Sequence, residues 1–430
     1  MKQYDSHKNS GVEWIGEVPI HWNVMPLKFT GTFGNGLTYS PKDVVDNGIL
    51  VIRSSNIQNS SLSFEDNVYV NNVAKELLVH KGDIIICSRN GSAALVGKSA
   101  FIENDINATF GAFMMRYIPK INKKYGFYLF QSAIGRYKGY FATTTINQLT
   151  KSTIGEMKVP LASTNEQQAI VDYLDKKCSE IDNIIYAQQN RIALLQELKQ
   201  SIITHAVTKG INPNVEMKDS GVEWIGKIPT SWEVVHLKRI LRERMQYGAN
   251  EPAESDDTTY PRYIRITDIT ANGELRPETF KSLEPSKAKD YLLDKGDVLF
   301  ARSGATVGKT FLFNADIKAC YAGYLIKASC DKRRMLPEYL YYYTQSGAYE
   351  CWKNSVFIQS TIQNIGADKY QMMYIPVPSK DEQKQIVEYT MSKSQIFDAA
   401  ISKAQHQVEL LQEYKQSLIT EVVTGKRKVS

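Results

Sequence analysis

Two related glycine-containing segments have residue types that could bind a phosphate group. Residues 303–310 read SGATVGKT, and residues 90–98 read NGSAALVGK. A phosphate-binding P-loop needs four residues between its two glycines. Gly304 and Gly308 enclose three residues, whereas Gly91 and Gly97 enclose five. Because the two segments miss the required spacing in opposite directions, we expect turns that follow strands rather than an ATP site.

The other residue types used in catalysis are scattered along the chain. Six histidines show neither H-x-x-x-H nor H-E-x-x-H spacing, and neither a G-x-S-x-G elbow nor a methyltransferase tetrapeptide of the Asn/Asp-Pro-Pro-aromatic kind is present. Five cysteines include no C-x-x-C pair, which favours reduced thiols over disulfides or zinc. An active site can assemble from distant positions, but nothing in the sequence indicates one.

Polar loops that recur in pairs are stronger candidates for a binding site. Arg, Asn and Gln make hydrogen bonds to base edges, and Ser, Thr and Lys bind phosphates. Because these loops differ between the two halves of the chain, they would read two different short DNA sequences; the alternative is that they are solvated turns. The candidates are Arg53, Ser54, Ser55, Asn56, Arg89, Asn90, Ser92, Lys98, Thr144, Thr145 and Gln148 in the first half, and Arg265, Thr267, Asp268, Arg302, Ser303, Thr306, Lys309, Gln359, Ser360 and Thr361 in the second.

An internal repeat positions these loops. Residues 10–16 (SGVEWIG) return as residues 220–226, and KGD occurs at Lys81 and again at Lys295. Residues 88–98 parallel residues 301–309, so that Arg89 aligns with Arg302 in sequence. Short β-rich runs separated by Gly, Asn and Ser turns predict strands at 49–52, 83–87 and 113–117 in the first copy and at 263–266, 297–301 and 324–327 in the second. Each copy therefore predicts a mixed α/β globular part followed by a long helix.

The two long helices are predicted at residues 164–208 and 380–424. Each begins with a capping box, Ser163 with Glu166 and Ser379 with Glu382. Each carries an apolar heptad stripe, so the simplest arrangement packs one helix on the other. The direction is open from periodicity alone, and ordinary core helices in separate domains are the alternative. The predicted seam is Leu174, Ile181, Ile185, Ile192, Leu195 and Ile202 in the first helix and Phe397, Ile401, Val408, Leu411, Leu418 and Val422 in the second, with Thr390 and Ser394 weakening the start of the second helix.

These elements divide the chain into six segments. A globular part at 1–163 precedes the helix at 164–208, an exposed linker at 209–219, a second globular part at 220–379, the helix at 380–424 and a frayed basic tail at 425–430. The net charge of +6 permits an anionic partner without demanding one. No apolar run is long enough to predict a membrane span.

With both copies laid out, the chain resembles the DNA specificity (S) subunit of type I restriction-modification systems. The resemblance covers nearly the whole chain. It is carried by SGVEWIGxxPxxW and its second copy, by the proline-containing run into E-Q-x-x-I-V (residues 160–171 and 376–387), and by the paired L-L-Q-E-x-K-Q-S helices. It implies an α/β (α+β) fold with two mixed α/β target recognition domains, separated by two long helices that pack as an antiparallel coiled coil around a pseudo-twofold axis.

The resemblance also implies a function. A cytoplasmic, non-catalytic subunit would read a bipartite site in double-stranded DNA and would hold two methyltransferase (M) subunits and the restriction (R) subunits. S-adenosylmethionine, ATP and Mg would bind to those partners and not to this chain. Two alternatives stay open: a self-contained methyltransferase-specificity fusion with a diverged catalytic part, and a coiled-coil scaffold with no nucleic-acid role.

Overall fold

The computed structural model describes residues 4–141, 148–270, 273–304, 306–358 and 364–429. Contacts divide the chain into two units. The first unit comprises Met1–Gln188 and Gln407–Ser430, and the second comprises Gln189–His406. The division passes through both long helices, so each unit contains one segment of each helix in addition to its globular part.

The strands of the first unit are short. In chain order they are β1 His7–Asn9, β2 Glu17–Pro19, β3 Asn23–Pro26, β4 Gly31–Asn35, β5 Val44–Val45, β6 Ile49–Ile52, β7 Ile57–Gln58, β8 Ser61–Leu62, β9 Tyr69–Val70, β10 Ile84–Cys87, β11 Ser99–Phe101, β12 Ala108–Phe110, β13 Met114–Pro119 and β14 Lys158–Leu161.

Two four-stranded sheets form the globular part of the first unit. One is antiparallel with the order β11-β10-β13-β4, and the other has the order β12-β6-β9-β5 with β12 parallel to β6. Strand β10 (IIIC) is buried on both faces, which explains its continuous apolar sequence. Helix α1, Lys123–Phe141, supplies the buried aromatic side chains of Tyr125 and Phe130 to the core, and α2 spans Lys151–Gly155.

The second unit repeats this plan with fewer regular strands. Its antiparallel sheet has the order β18-β23-β20-β21, and β19 pairs with β22 in parallel. The strands are β15 Met217–Asp219, β16 Lys227–Pro229, β17 Glu233–His236, β18 Gln246–Tyr247, β19 Arg262–Ile264, β20 Asp297–Ala301, β21 Thr310–Phe313, β22 Ala319–Tyr321, β23 Leu325–Ala328 and β24 Tyr374–Val377. The long helix α3 spans Thr164–Lys209, and the helices that follow it are α4 Pro285–Ala288, α5 Pro337–Tyr343, α6 Gly347–Ile358, α7 Ala367–Gln371 and α8 Lys380–Val423.

The predicted linker is wrong at its C-terminal end. Its last three residues form β15, which pairs with β16 so that Met217 lies opposite Pro229. In the first unit β1 pairs with β2 in the same register, with His7 opposite Pro19. Residues 217–219 therefore belong to the second unit, because the repeated hairpin includes the residues that precede the SGVEWIG motif.

The long helices agree closely with the expected bounds. Helices α3 and α8 begin at the predicted residues and end within one residue of the predicted ends. Within the first unit, Lys415 of α8 donates to Asp182 of α3 at 2.7 Å, and in the second unit Lys199 of α3 donates to Asp398 of α8 at 2.7 Å. Later residues of α3 thus meet earlier residues of α8, which confirms the antiparallel direction.

All twelve predicted seam residues are covered in the structure. Leu174, Ile181, Ile185, Ile401, Leu418 and Val422 are buried, and Ile192, Leu195, Ile202, Phe397, Val408 and Leu411 are half-buried. In α3 the half-buried seam residues all follow Gln188, and Lys199 interrupts the stripe between Leu195 and Ile202.

The capping boxes connect the helices to the repeated SGVEWIGxxPxxW motif. The Glu166 carboxylate accepts hydrogen bonds from the Ser163 hydroxyl at 2.6 Å and from the indole N–H of Trp22 at 3.2 Å. In the second unit, the Glu382 carboxylate accepts from the indole N–H of Trp232 at 2.9 Å. Trp22 and Trp232, the second tryptophan of each motif copy, are fully buried, so each fixes the start of its helix against the globular part.

The C-terminal tail is ordered against the first unit, contrary to the expected fraying. A side chain added at Gly425 would lie 2.3 Å from Pro19 and 3.2 Å from Trp22, so the glycine packs directly on the motif. The guanidinium of Arg427 pairs with Glu421 at 2.9 Å and donates to the Tyr173 hydroxyl at 3.3 Å. Gly425 and Arg427 therefore pack as part of the first unit.

No helix among the described residues is both long enough and apolar enough to cross a membrane.

Candidate nucleic-acid interface

A cleft of about 1280 Å³ in the first unit brings several predicted candidates together. Arg53, Ser54, Ser55, Arg89 and Asn90 all line it. They come from two loops that follow the buried strands β6 and β10. The first loop, residues 53–56, is the Arg53 loop, and the second, residues 88–98, is the Arg89 loop.

The Arg53 loop is held by its own polar side chains. The Asn56 amide oxygen accepts from the Arg53 backbone N–H at 3.0 Å, and its N–H₂ group donates to the backbone oxygens of Ser63 and Asp66. The Arg53 guanidinium pairs with the Asp66 carboxylate at 2.8 Å. Hydrogen bonds from Arg53 and Ser55 lower the pKa of that carboxyl. Asn56 is 1% exposed, so we reassign it from a DNA contact to a residue that shapes the loop.

The corresponding loop of the second unit, residues 265–268 or the Arg265 loop, uses a charged pair. The Arg265 guanidinium donates to both carboxylate oxygens of Asp268, at 3.0 and 2.7 Å, and the same carboxylate accepts from the Arg265 backbone N–H at 2.7 Å. The hydrogen bond to Asp268 raises the pKa of the Arg265 guanidinium. Asp268 is 1% exposed and is likewise reassigned to a structural role, while Thr267 lies exposed between the paired residues.

Arg89 and Arg302 have a different environment from these paired arginines. The Arg89 guanidinium carbon lies 5.4 Å from the ring centre of Phe113, and that of Arg302 lies 4.9 Å from the ring centre of Tyr247. Within the part of the chain that the structure describes, neither guanidinium has a carboxylate partner. An aromatic ring limits the motion of a guanidinium without occupying its five N–H donors, so both groups can still bind an acceptor.

The two arginines are not equivalent positions of the repeat, contrary to the alignment by sequence. The backbone N–H of Ser88 donates to the Phe113 oxygen at 2.9 Å, and the backbone N–H of Arg302 donates to the Tyr324 oxygen at 3.0 Å. Ser88 therefore corresponds to Arg302, and Arg89 lies one residue further along. The two units thus present an arginine from neighbouring positions of the same turn.

The remaining predicted candidates lie around these arginines or elsewhere. Asn90 donates to the Ser54 hydroxyl at 3.1 Å and accepts from the Ser92 backbone N–H, which connects the Arg89 loop with the Arg53 loop. The Lys98 ammonium lies 3.5 Å from the Ser54 oxygen. Exposed Gln148 pairs by backbone with Arg89, and half-buried Ser303 pairs by backbone with Asn364; Thr306 is half-buried and Lys309 exposed. Thr144, Thr145, Gln359, Ser360 and Thr361 lie outside the described residues.

The glycines of the P-loop-like segments serve as turns. Gly97 and Gly308 both have φ of +84°, where glycine is favoured. A side chain at Gly97 would lie 2.5 Å from Ile134, and one at Gly308 would lie 2.3 Å from Lys353. Each glycine therefore lets the loop return to its sheet close to a neighbouring helix.

Two exposed aromatic residues at the interface were missed by the sequence reasoning. Phe113, in the cleft, is 61% exposed and Tyr324 is 67% exposed, although each immediately precedes a buried strand. The signal was available, because residues 110–113 read FGAF and residues 321–324 read YAGY. In each tetrapeptide the first aromatic residue is fully buried and the second is exposed.

All five cysteines are free thiols. Over the described ranges, no group of three or more His, Cys, Asp and Glu side chains could hold a metal ion.

Comparisons with known proteins define the class of this chain. The type I restriction modification DNA specificity domain matches it twice, at residues 19–193 and 229–409. The StySPI specificity subunit of Salmonella potsdam is 23% identical over 393 residues, which are 86% of this chain and 82% of that protein. The EcoKI specificity subunit of Escherichia coli strain K12 is 25% identical over 392 residues, with the same two coverages.

A solved chain from work on complex assembly and conformational transition of the type I R-M system has the same fold. Its TM-score is 0.66 with 15% identity, covering 94% of this chain and 98% of that chain. The two domain matches span most of the sequence, so the chain belongs to the type I restriction-modification DNA specificity family. This membership confirms the predicted class, a DNA-binding specificity subunit that is not itself an enzyme.

Proposed function

We propose that this specificity subunit reads a two-part site in double-stranded DNA, one half-site with each unit. The family match over both repeats carries the proposal, and the cleft around Arg89 supports its location in the first unit. In this proposal Arg89 and Arg302 read bases, because their guanidinium groups have no internal carboxylate partner among the described residues. Arg53 and Arg265 instead hold their loops through Asp66 and Asp268.

The proposal includes partners that carry the chemistry. Two methyltransferase subunits would bind S-adenosylmethionine and methylate the site, and restriction subunits would use ATP and Mg. The relatives are specificity subunits of such enzymes, and the solved chain of similar fold comes from work on complex assembly, which supports this extension. This chain would bind none of those cofactors and would act in the cytoplasm.

Methylome sequencing of a host with and without this gene tests the function directly. We expect one split methylated motif to be present with the gene and absent without it. The purified chain should show no methylation with S-adenosylmethionine until a methyltransferase subunit is added. Methylation by the chain alone would support a self-contained enzyme instead.

Arginine substitutions test the assignment of the two loops. Arg89→Ala and Arg302→Ala should each relax recognition in one half-site only, with a loss of about 1–3 kcal/mol for a bidentate base contact. Arg333→Ala is the control, because Arg333 belongs to neither loop and its guanidinium forms an ion pair of 2.9 Å with Asp331. Equal losses at both half-sites for either loop variant would contradict the modular assignment.

A further inference from the structure

Phe113 and Tyr324, whose rings are exposed, have backbone carbonyl groups that are held by hydrogen bonds. The Phe113 carbonyl oxygen accepts from the backbone N–H groups of Ser88 and Arg89, at 2.9 and 3.1 Å, and from the Ser88 hydroxyl at 2.9 Å. The Tyr324 carbonyl accepts from the Arg302 backbone N–H at 3.0 Å. A ring that is more than half exposed on a fixed turn loses the free energy of burial. An exposed ring on this hydrogen-bonded turn occurs in both units, although Arg302 lies over the ring of Tyr247 and not over that of Tyr324. These rings are therefore placed to contact a ligand.

The surroundings of Phe113 indicate which ligand atoms it would meet. Its ring lies beneath the Arg89 guanidinium in the cleft lined by Arg53 and Asn90. A guanidinium that reads guanine does so at O6 and N7 in the major groove. A ring stacked on that guanidinium would enter the same groove. The apolar group that base edges display there is the C5 methyl of thymine.

We propose that Phe113 contacts a thymine methyl group in the half-site read by the first unit, beside the base pair read by Arg89. Tyr324 makes the corresponding contact in the other half-site, beside the base pair read by Arg302. This inference rests on the proposed function. It adds two specificity-determining residues that act by apolar contact rather than by hydrogen bonding.

Deoxyuridine substitution provides a direct test, because it removes the methyl group and keeps the base pairing. The protein would be the full chain assembled with its methyltransferase subunits, and the DNA a set of duplexes in which each thymine of the split motif is replaced in turn. Loss of one buried methyl group corresponds to about a fourfold loss in affinity. We expect such a loss at one position or more in each half-site for the unsubstituted protein.

Variants assign each position to its ring. Phe113→Ala should bind thymine and deoxyuridine duplexes equally at the responsive position of the first half-site and keep the response in the second. Tyr324→Ala should do the reverse. Phe29→Ala is the matched control, since Phe29 is 65% exposed with Lys28 located 5.3 Å from its ring centre but lies outside the cleft lining. It should keep both responses.

Three outcomes would overturn the inference. The first is a split motif in which deoxyuridine has no effect at any position, and the second is an unchanged response in Phe113→Ala. The third is that Phe113→Ala loses affinity equally for every duplex, with thymine or with deoxyuridine, which would indicate that the ring inserts between base steps. Failure of the proposed function is distinct, because the unsubstituted complex would then bind the split motif no better than a scrambled sequence.

Discussion

The Arg53 loop and the Arg265 loop have the same backbone turn but hold it with different chemistry. In both, the fourth residue accepts from the backbone N–H of the arginine. In the first unit that residue is the neutral Asn56, and the guanidinium pairs with the more distant Asp66; in the second, Asp268 accepts from both the backbone and the guanidinium. An arginine at the same place in two repeats therefore does not by itself indicate a DNA contact.

The helix segments of the two units differ in a similar way. Leu174 and Thr390 occupy the same position of α3 and α8, 216 residues apart, and both are fully buried. The leucine belongs to the core of the first unit, whereas the Thr390 hydroxyl has no hydrogen-bond partner in the described structure. At this position the second unit therefore buries a polar group where the first unit buries a larger apolar side chain.

Replacing Leu174 of the first unit by threonine, the residue found at the same position in the second unit, should have the largest effect on stability. Leu174→Thr removes buried apolar volume and introduces a hydroxyl, so it should lower the stability of the first unit by about 3 kcal/mol. Native-state hydrogen exchange of residues 164–188 would measure the change. Ile184→Thr on the same helix is the control, because Ile184 is 48% exposed and its substitution should have little effect. Similar losses for the two variants would contradict the described seam.

Removing the Asp268 carboxylate, which holds the Arg265 loop, should have the next largest effect. Asp268→Ala leaves the Arg265 guanidinium and backbone N–H without their partner, at an expected cost of about 2 kcal/mol. Asn56→Ala should cost less, because Asp66 still pairs with Arg53. Hydrogen exchange of the two loops would compare the variants. A larger loss of loop stability for Asn56→Ala would show that the neutral Asn56 amide holds its loop more strongly than the Asp268 carboxylate does.

Replacing the unpaired hydroxyl should stabilise the second unit. Thr390→Val keeps the side-chain shape and removes a buried polar group without a partner, so we expect a gain of about 1 kcal/mol in urea unfolding. Thr208→Val is the matched control, since the buried Thr208 hydroxyl donates to the Thr204 carbonyl at 2.6 Å. That control should lose stability. A loss in Thr390→Val as well would mean that its hydroxyl has a partner in solution.

Acid should weaken the start of the first long helix, with the smallest effect of the four. Burial alone would raise the pKa of Glu166, but hydrogen bonds from Ser163, His21 and Trp22 outweigh it and lower the pKa to about 2. A lowered folded-state pKa stabilises the fold above the usual value of 4.5 and loses that contribution as the pH falls towards 2. Glu166→Gln should flatten the change in melting temperature over this range. Solvent screening of this partly exposed carboxylate limits the expected effect to about 0.5 kcal/mol. An unchanged acid profile would contradict this role.

Much of the fold could be predicted from local patterns. The heptad stripe and the capping boxes located both long helices, because a helix of this length needs a continuous apolar face and satisfied N–H groups at its start. The buried runs at Ile49–Ile52 and Asp297–Ala301 agree with the predicted strands. Conversely, the linker and the tail were misassigned, since polar composition does not reveal pairing with a distant hairpin or packing on a distant tryptophan.

The candidate site was less predictable for a physical reason. Residue type gives the hydrogen bonds that a side chain can make but not its exposure. The sequence therefore could not separate the buried Asn56 and Asp268 from the exposed Arg89 and Thr267 as candidate DNA contacts. The loops after β10 and β20 differ in length, which hid the one-residue shift between the two arginines. Phe113 and Tyr324 border those loops but are aromatic, so the polarity of the loop sequences does not indicate them.

The ordered tail has a consequence for how the chain is made. The second unit ends at His406, but the first includes residues 407–430, so its globular part is synthesised early and receives its last helix segment and the Gly425 turn only after the whole second unit has been made. A premature stop codon within residues 407–430 would consequently disable the unit whose globular part left the ribosome first.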